Sequence, residues 1–121
     1  MLSGRKTIKF KNSRQVGYRG ETLSIEWLKE NGYKFIQRNY RCKAGEIDII
    51  ARDKDELCFI EVKTRSNLSF GMPQEAVNSR KLKKMMKAAQ FYMKCKNMKE
   101  TRFRFDVVAV HDGITHFKNI Y

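Results

Sequence analysis

The chain has 121 residues and a mass of 14.3 kDa, enough for one domain with its own core and too little for two. Hydrophobic residues make up 41% and charged residues 32%, a composition that excludes an intrinsically disordered protein. Lysine and arginine number 26 against 13 acidic residues, and this net charge of +13 favours a polyanionic partner, above all nucleic acid. Because no apolar run approaches about 18 residues, we expect neither a membrane span nor an export signal.

The three cysteines are scattered and form no Cys-x-x-Cys pair. Cys42, Cys58 and Cys95 are accompanied by only two histidines, which argues against a zinc site. An odd, unpatterned set of thiols is typical of a reducing compartment, so we expect a cytoplasmic protein. Cys58 lies in an apolar strand and is predicted to be part of the core.

The N-terminal part of the chain is predicted to be a basic arm followed by a helix. Residues 1–15 lack apolar periodicity and favour a flexible arm, which leaves residues 16–121 as a single domain. Within that domain, Leu23, Trp27 and Leu28 recur at helical spacing, and Asn31-Gly32 supplies a stop. These signals predict a first helix over residues 18–31.

The remainder alternates between apolar strands and one lysine-rich helix. Strands are predicted over residues 33–39, 46–51, 57–63, 104–110 and 114–120. Residues 66–73 contain Gly71 and the only proline, Pro73, and predict a loop that leads into a second helix over residues 74–96. The apolar stripe of that helix consists of Val77, Leu82, Met85, Met86, Ala89 and Met93. The element order is therefore αβββαββ, an α/β domain.

The two central strands predict a β-hairpin. If its turn is centred on Lys54 and Asp55, the pairing places Asp48 opposite Glu61. The period-two alternation of strands then divides the side chains between two faces of the sheet. The polar face carries Glu46, Asp48, Glu61 and Lys63, and the other face carries Ile47, Ile49, Cys58, Ile60 and Val62.

Two carboxylates opposite each other on a hairpin repel, and a divalent cation between them would remove that cost. Oxygen ligands suit Mg²⁺ or Mn²⁺, and the nearby Lys63 would stabilise charge on a phosphate. Together they predict metal-assisted phosphodiester hydrolysis. The backbone carbonyl of Val62 is a further candidate ligand, and Glu21, on the first helix, is a possible third carboxylate.

Simpler explanations exist for each of these acidic residues. Asp48 and Glu61 would also be acceptable on a solvated face, with Glu46–Lys63 and Arg65 forming ion pairs. Glu21 alone is explained by the preference for acidic residues near a helix start. Two observations favour a site. The first is that the polar face also carries Ile50 and Phe59, which indicates that the face is partly covered, and buried, unpaired carboxylates are costly. The second is that the site lies in the acidic middle of the chain, between its most basic segments.

The distribution of charge supports the same interpretation. Residues 1–20 carry six basic and no acidic side chains, and residues 62–104 carry twelve basic and two acidic ones. Residues 21–61, between them, carry seven basic and nine acidic ones. Phosphate binding around a carboxylate-bearing site would account for this segregation.

Several short motifs in order identify a resemblance. They are Gly20-Glu21, Asn31-Gly32-Tyr33, Arg38-Asn39, Gly45–Ala51, Phe59–Arg65 and Pro73–Val77. Over residues 15–120 the chain resembles the UPF0102 (YraN-like) family, which is similar to the PD-(D/E)xK nucleases and to archaeal Holliday-junction resolvases. The resemblance implies a restriction-endonuclease-like fold, with a central mixed β-sheet flanked by helices. Ile47 stands where the superfamily signature has proline, as in divergent members.

The resemblance also implies roles for individual residues. It assigns Asp48 and Glu61 as metal ligands, Lys63 as the catalytic lysine and Glu21 as the additional helix carboxylate. Gln74, after Pro73, is a weaker candidate.

We therefore expect a Mg²⁺- or Mn²⁺-dependent endonuclease acting on DNA. Selectivity for branched DNA and homodimerisation are left open. The alternative is a non-catalytic nucleic-acid-binding module that retains the nuclease fold.

Overall fold

The computed structural model describes residues 13–64, 78–99, 101–111 and 113–120, with residues 13–17 by their backbone alone. In these ranges the elements follow the predicted order αβββαββ. They are α1 (Ser13–Glu30), β1 (Lys34–Cys42), β2 (Gly45–Asp53), β3 (Glu56–Thr64), α2 (Ser79–Cys95), β4 (Arg102–Val110) and β5 (Ile114–Phe117). The predicted α/β class is confirmed.

The strands form one mixed sheet in the order β1-β2-β3-β4-β5. β2 runs antiparallel to both of its neighbours, β1 and β3; β3 and β4 run parallel, and β5 returns antiparallel to β4. Parallel neighbours need a crossover connection, and α2 lies in the segment that joins β3 to β4. As a result, the C-terminal end of β3 and the start of α2 approach each other at one end of the sheet.

The predicted hairpin register is confirmed. Asp53 pairs with Glu56 across a two-residue turn, and Ile50 pairs with Phe59 further along the ladder. Lys54, the first turn residue, has a φ of 57°, as a tight hairpin turn requires. The register is therefore fixed by the turn, and the side chains that face each helix follow from it.

Each face of the sheet packs against one helix. On the α1 face, Ile25, Trp27 and Leu28 pack with strand residues that include Cys58 and Ile60. On the α2 face, the buried residues from the helix and the strands are Ile47, Ile50, Leu57, Phe59, Met85, Ala88, Ala89, Tyr92, Phe105 and Val107. Cys58 is fully buried, as predicted, and burial raises the pKa of its thiol to about 12. The sheet is thus covered on both sides.

The boundaries of the first helix differ from the prediction. It begins at Ser13, five residues earlier than the apolar pattern indicated, because the first turn of a helix contributes little to that pattern. Its end is as predicted: Gly32 has a φ of 87°, and the Tyr33 amide donates to the Leu28 carbonyl at 2.9 Å. Residues 1–12 lie outside the described residues, so the basic arm stays a prediction, with residues 13–15 now assigned to α1.

The second helix begins later than predicted. Asn78 is its N-cap, has an extended backbone, and accepts a hydrogen bond from the Lys81 amide at 2.9 Å. The helix therefore starts at Ser79 rather than at Gln74, and the predicted loop over residues 66–73 lies outside the described residues. Met86 is 41% exposed and does not belong to the buried stripe, whereas Met85 is buried.

All five strands differ in extent from their predicted bounds, and β2 and β3 each extend one or two residues further at either end. β1 continues to Cys42, because its pairing with β2 extends to the turn at Gly45. β4 begins at Arg102, where it pairs with β3. β5 ends at Phe117 instead of residue 120, since its ladder with β4 ends there. Within the described ranges, neither helix combines the length and apolarity of a membrane span.

Candidate active site

Asp48 and Glu61 lie next to each other just beyond the regular part of the β2–β3 ladder. The described pairing of the two strands runs from the turn as far as Ile49 and Ile60. At the next position, Asp48 Oδ2 accepts a hydrogen bond from the backbone amide of Val62 at 2.8 Å. The predicted neighbourhood of the two carboxylates is therefore present, although Asp48 contacts the β3 backbone instead of extending the ladder.

The alternation of side chains between the two faces of the sheet is interrupted in β2 at Asp48. Ile49 packs on the α1 face, but Ile47, which strict alternation would place beside it, packs on the α2 face. The prediction that Ile47 and Ile49 share a face is therefore wrong. Asn39, the β1 residue across from Asp48, has a φ of 53°, so both strands are distorted here. Such irregularities redirect a single side chain, in this case towards Glu61.

Glu61 is a buried carboxyl group with a strongly perturbed proton affinity. Its side chain is 5% exposed. Burial is the largest cause and the neighbouring Asp48 the next, and together they raise the pKa of Glu61 to about 8. Two acidic groups in close contact, one of them desolvated, form the kind of environment found at sites that bind cations or transfer protons.

Two lysines contact Glu61 from different elements. Lys63, two residues along β3, has its Nζ 4.0 Å from Glu61 Oε2 and is on the same face, as predicted. Lys81, on the first turn of α2, donates a hydrogen bond to the same oxygen. The Lys81 contact could not be predicted from a local pattern, because Lys81 and Glu61 are twenty positions apart in the chain. Glu46 does not pair with Lys63. It pairs with Arg41 on β1, where Arg41 Nε lies 3.2 Å from Glu46 Oε2.

Glu21 is close to the carboxylate pair but is held by an arginine. Arg38 Nε donates to Glu21 Oε1 at 3.2 Å, and its Nη1 donates to Thr22 at 2.9 Å. Burial, with the charge of Asp48 second, raises the pKa of Glu21. The helix that carries Glu21 packs on the α1 face of the sheet, whereas Glu61 contacts α2 through Lys81. Glu21 therefore approaches Asp48 from the α1 side.

The described residues supply a pair of adjacent carboxylates but no group of three acidic, histidine or cysteine side chains arranged to hold a metal. Glu21 Oε1 accepts from Arg38, so its contribution as a third ligand stays a prediction. Gln74 lies outside the described residues, so its place in the site stays a prediction. The same holds for the carbonyl of Val62, whose amide is the group that contacts Asp48.

A second cluster of buried charge lies between β4, β5 and α1. Asp106 accepts from Arg104 Nε at 3.1 Å and from the Asn119 amide at 2.8 Å, and it lies 2.8 Å from His116 Nε2. Arg104 Nη2 also donates to the Tyr33 hydroxyl at 2.7 Å. These partners lower the pKa of Asp106 despite its burial. This cluster was not predicted from the sequence, although Arg104 and Asp106 are polar residues within an otherwise apolar strand.

Comparisons with known proteins agree with the motif pattern. Residues 20–110 match the Uncharacterised protein family UPF0102. A UPF0102 protein of Acetivibrio thermocellus is 48% identical over 102 residues, which cover 83% of this chain and 78% of the relative. Another from Clostridioides difficile is 42% identical over 113 residues, covering 91% of this chain and 99% of the relative. A third, from Caldanaerobacter subterraneus, is 43% identical over 100 residues, covering 83% and 82%. The chain therefore belongs to the UPF0102 family.

Proposed function

We propose that this protein is a metal-dependent endonuclease that hydrolyses phosphodiester bonds in DNA. The observation that carries the proposal is the contact of two carboxylates, Asp48 and Glu61, with Lys63 beside them, on a chain of net charge +13. A buried Glu61 beside a half-buried Asp48 is costly, because the two carboxylates repel each other, and a bound cation would remove that cost. Membership of UPF0102, a family similar to the PD-(D/E)xK nucleases, supports the same conclusion.

The chemistry of the pair fits Mg²⁺ or Mn²⁺. Both donors are carboxylate oxygens, which these cations prefer, and a cation would favour the ionised form of Glu61 against the effect of burial. Asp48 and Glu61 would hold the metal, with Glu21 and the Val62 carbonyl as additional candidates. A cation bound there would lower the pKa of a coordinated water and stabilise negative charge on the phosphate.

The protein's own residues have separable tasks in this proposal. The Val62 amide fixes the orientation of Asp48, so this carboxylate is in place before any ligand arrives. Lys63 has its ammonium group 4.0 Å from Glu61, where it would orient the attacking water and offset negative charge on the phosphate. Arg38 keeps Glu21 beside Asp48 and so positions a third acidic group at the edge of the pair.

One observation favours the second candidate, a nucleic-acid-binding module without turnover. Lys81 already donates to Glu61, so a protein cation neutralises part of the charge that a metal would otherwise balance. In such a module the carboxylates would orient a basic surface and no cleavage would occur. The two candidates make opposite predictions for phosphodiester hydrolysis and the same prediction for salt-sensitive binding.

A panel of labelled nucleic acids tests the proposal. Single-stranded DNA, duplex, flap, four-way junction and the corresponding RNA strand are incubated with the protein in Mg²⁺, Mn²⁺ or EDTA. We expect metal-dependent cleavage of at least one DNA substrate, and the pattern across the panel identifies branched or linear preference. Salt-sensitive binding without cleavage of any DNA in either metal would contradict the proposal and support the binding module.

A further inference from the structure

A basic pocket opens beside the carboxylate pair, between the β1–β2 turn and the start of α2. The cavity measures about 550 Å³. Its charged lining residues are Arg41, Glu46, Arg80, Lys81 and Lys84. This volume is within the range of small-ligand sites and exceeds what one hydrated ion needs. The pocket is therefore large enough for a phosphate group together with part of the nucleotide attached to it.

The charge of the lining selects for an anion. Four of the five charged side chains are cationic, and the one acidic residue, Glu46, is paired with Arg41 at 3.2 Å. Within the described part of the chain, neither Arg80 nor Lys84 has an acidic partner. Guanidinium and ammonium groups without a carboxylate partner are the groups that proteins use to bind phosphate oxygens.

Lys81 connects this pocket to the candidate active site. It lines the cavity and also donates to Glu61, so the two regions share a wall. Gly45 allows the close approach that shapes the cavity: a Cβ at this position would lie 3.1 Å from both the Lys84 Cβ and the Lys84 carbonyl oxygen. The β1–β2 turn and α2 are thus packed against each other at the pocket, which fixes the positions of their backbones.

We propose that this pocket binds a phosphate group of a nucleic acid strand, adjacent to the bond that the carboxylate pair would act on. The ligand class, nucleic acid, rests on the proposed function. The pocket adds a defined binding site that the overall positive charge of the chain does not reveal. The subsite is formed by Arg80, Lys81 and Lys84, with Arg41 at its edge. A terminal monoester and an internal diester both present non-bridging phosphate oxygens to these groups.

Two double variants on the same helix test the subsite. Arg80→Ala/Lys84→Ala removes two cations from the pocket, and Lys83→Ala/Lys87→Ala removes two exposed cations from α2 outside its lining. Binding of a fluorescein-labelled 20-nucleotide strand is measured by anisotropy in EDTA over a series of salt concentrations. We expect the pocket variant to bind at least about tenfold more weakly, with the salt slope reduced by about 1.5. The matched variant should lose less than about threefold.

The same assay separates the sources of the phosphate. A strand with a 5′-phosphate is compared with one that carries a 5′-hydroxyl. Tighter binding of the phosphorylated strand that disappears in Arg80→Ala/Lys84→Ala identifies a terminal monoester as the ligand, and equal binding of the two strands identifies an internal diester. Equal losses of affinity in the two double variants would overturn the subsite, because the helix would then attract the strand through its overall positive charge and not through a defined site.

The outcomes for the pocket and for the nuclease are independent. Binding is measured without metal, and Asp55→Asn, which changes an exposed acidic residue outside the pocket lining and the carboxylate pair, is included as a variant that should retain it. If the pocket variant alone loses affinity while the native protein cleaves nothing in Mg²⁺ or Mn²⁺, the subsite stands and the proposed hydrolysis fails. If cleavage occurs but both double variants bind alike, the subsite alone is overturned.

Discussion

Lys81, on the first turn of α2, donates a hydrogen bond to Glu61, a buried carboxyl group near the end of β3. This contact joins the two sides of the candidate active site, since Glu61 also lies against Asp48. The ammonium group of Lys81 therefore lies close to the position that a divalent cation bound to Asp48 and Glu61 would occupy. Metal binding and the position of Lys81 should be coupled as a result.

Replacement of Lys81 by methionine should strengthen metal binding to the carboxylate pair. The variant retains most of the apolar stem and removes the positive charge that repels a cation, so we expect the dissociation constant for Mn²⁺ to fall about fivefold. Isothermal titration of the metal-free protein measures it. Lys83→Met, which removes an exposed charge from the same helix, is the control. Unchanged or weaker Mn²⁺ binding in Lys81→Met would show that Lys81 and the metal do not compete.

Asp106 should make a large, pH-dependent contribution to stability. Its pKa is lowered by His116, the Asn119 amide and Arg104, so the unfolded chain binds a proton more readily than the folded one. This stability is present above about pH 4 and is lost as the pH falls below that value through the folded pKa. Asp106→Asn should lower the free energy of unfolding by about 3 kcal/mol at pH 7 and flatten its dependence on pH in acid.

Urea unfolding between pH 3 and pH 7 tests this expectation. Asp55→Asn is the matched control, because Asp55 pairs with Arg102 at 3.3 Å on the exposed surface. That change should cost about 0.5 kcal/mol. A loss of less than about 1 kcal/mol in Asp106→Asn at pH 7 would mean that the buried cluster contributes little.

Gly20 should be required for the docking of α1 on the sheet. A Cβ at this buried position would lie 3.1 Å from the Cβ of Thr64 and overlap its hydroxyl group. Gly20→Ala should therefore destabilise the fold by about 2 kcal/mol, although alanine is the better helix former by about 1 kcal/mol. The adjacent Glu21 would move with the helix. Thermal unfolding of Gly20→Ala and of Gly20→Ala/Thr64→Ala measures the effect, and failure of the second change to restore stability would contradict the packing argument.

The sequence predicted what local patterns determine. The hairpin register followed from a two-residue turn at Lys54 and Asp55, and it brought Asp48 near Glu61. The interrupted alternation at Asp48 could not be predicted, because Ile47 packs on the α2 face against residues that are distant in the sequence. The same applies to the contact of Lys81 with Glu61 and to the ion pair of Arg38 with Glu21. These contacts arise from tertiary structure, which leaves no periodic signal in the sequence.

The decisive measurement is whether DNA cleavage depends on the proposed site. It compares four proteins: the native protein, Asp48→Asn, Lys63→Met and Asp55→Asn. The four proteins are purified identically and compared in Mg²⁺ and Mn²⁺ on the best substrate of the panel, with binding measured in parallel. We expect Asp48→Asn and Lys63→Met to lose at least about a hundredfold in cleavage rate while they retain binding and stability, and we expect Asp55→Asn, on the same hairpin, to cleave like the native protein. Equal cleavage by all four proteins would identify a contaminating nuclease and contradict the assignment of the site.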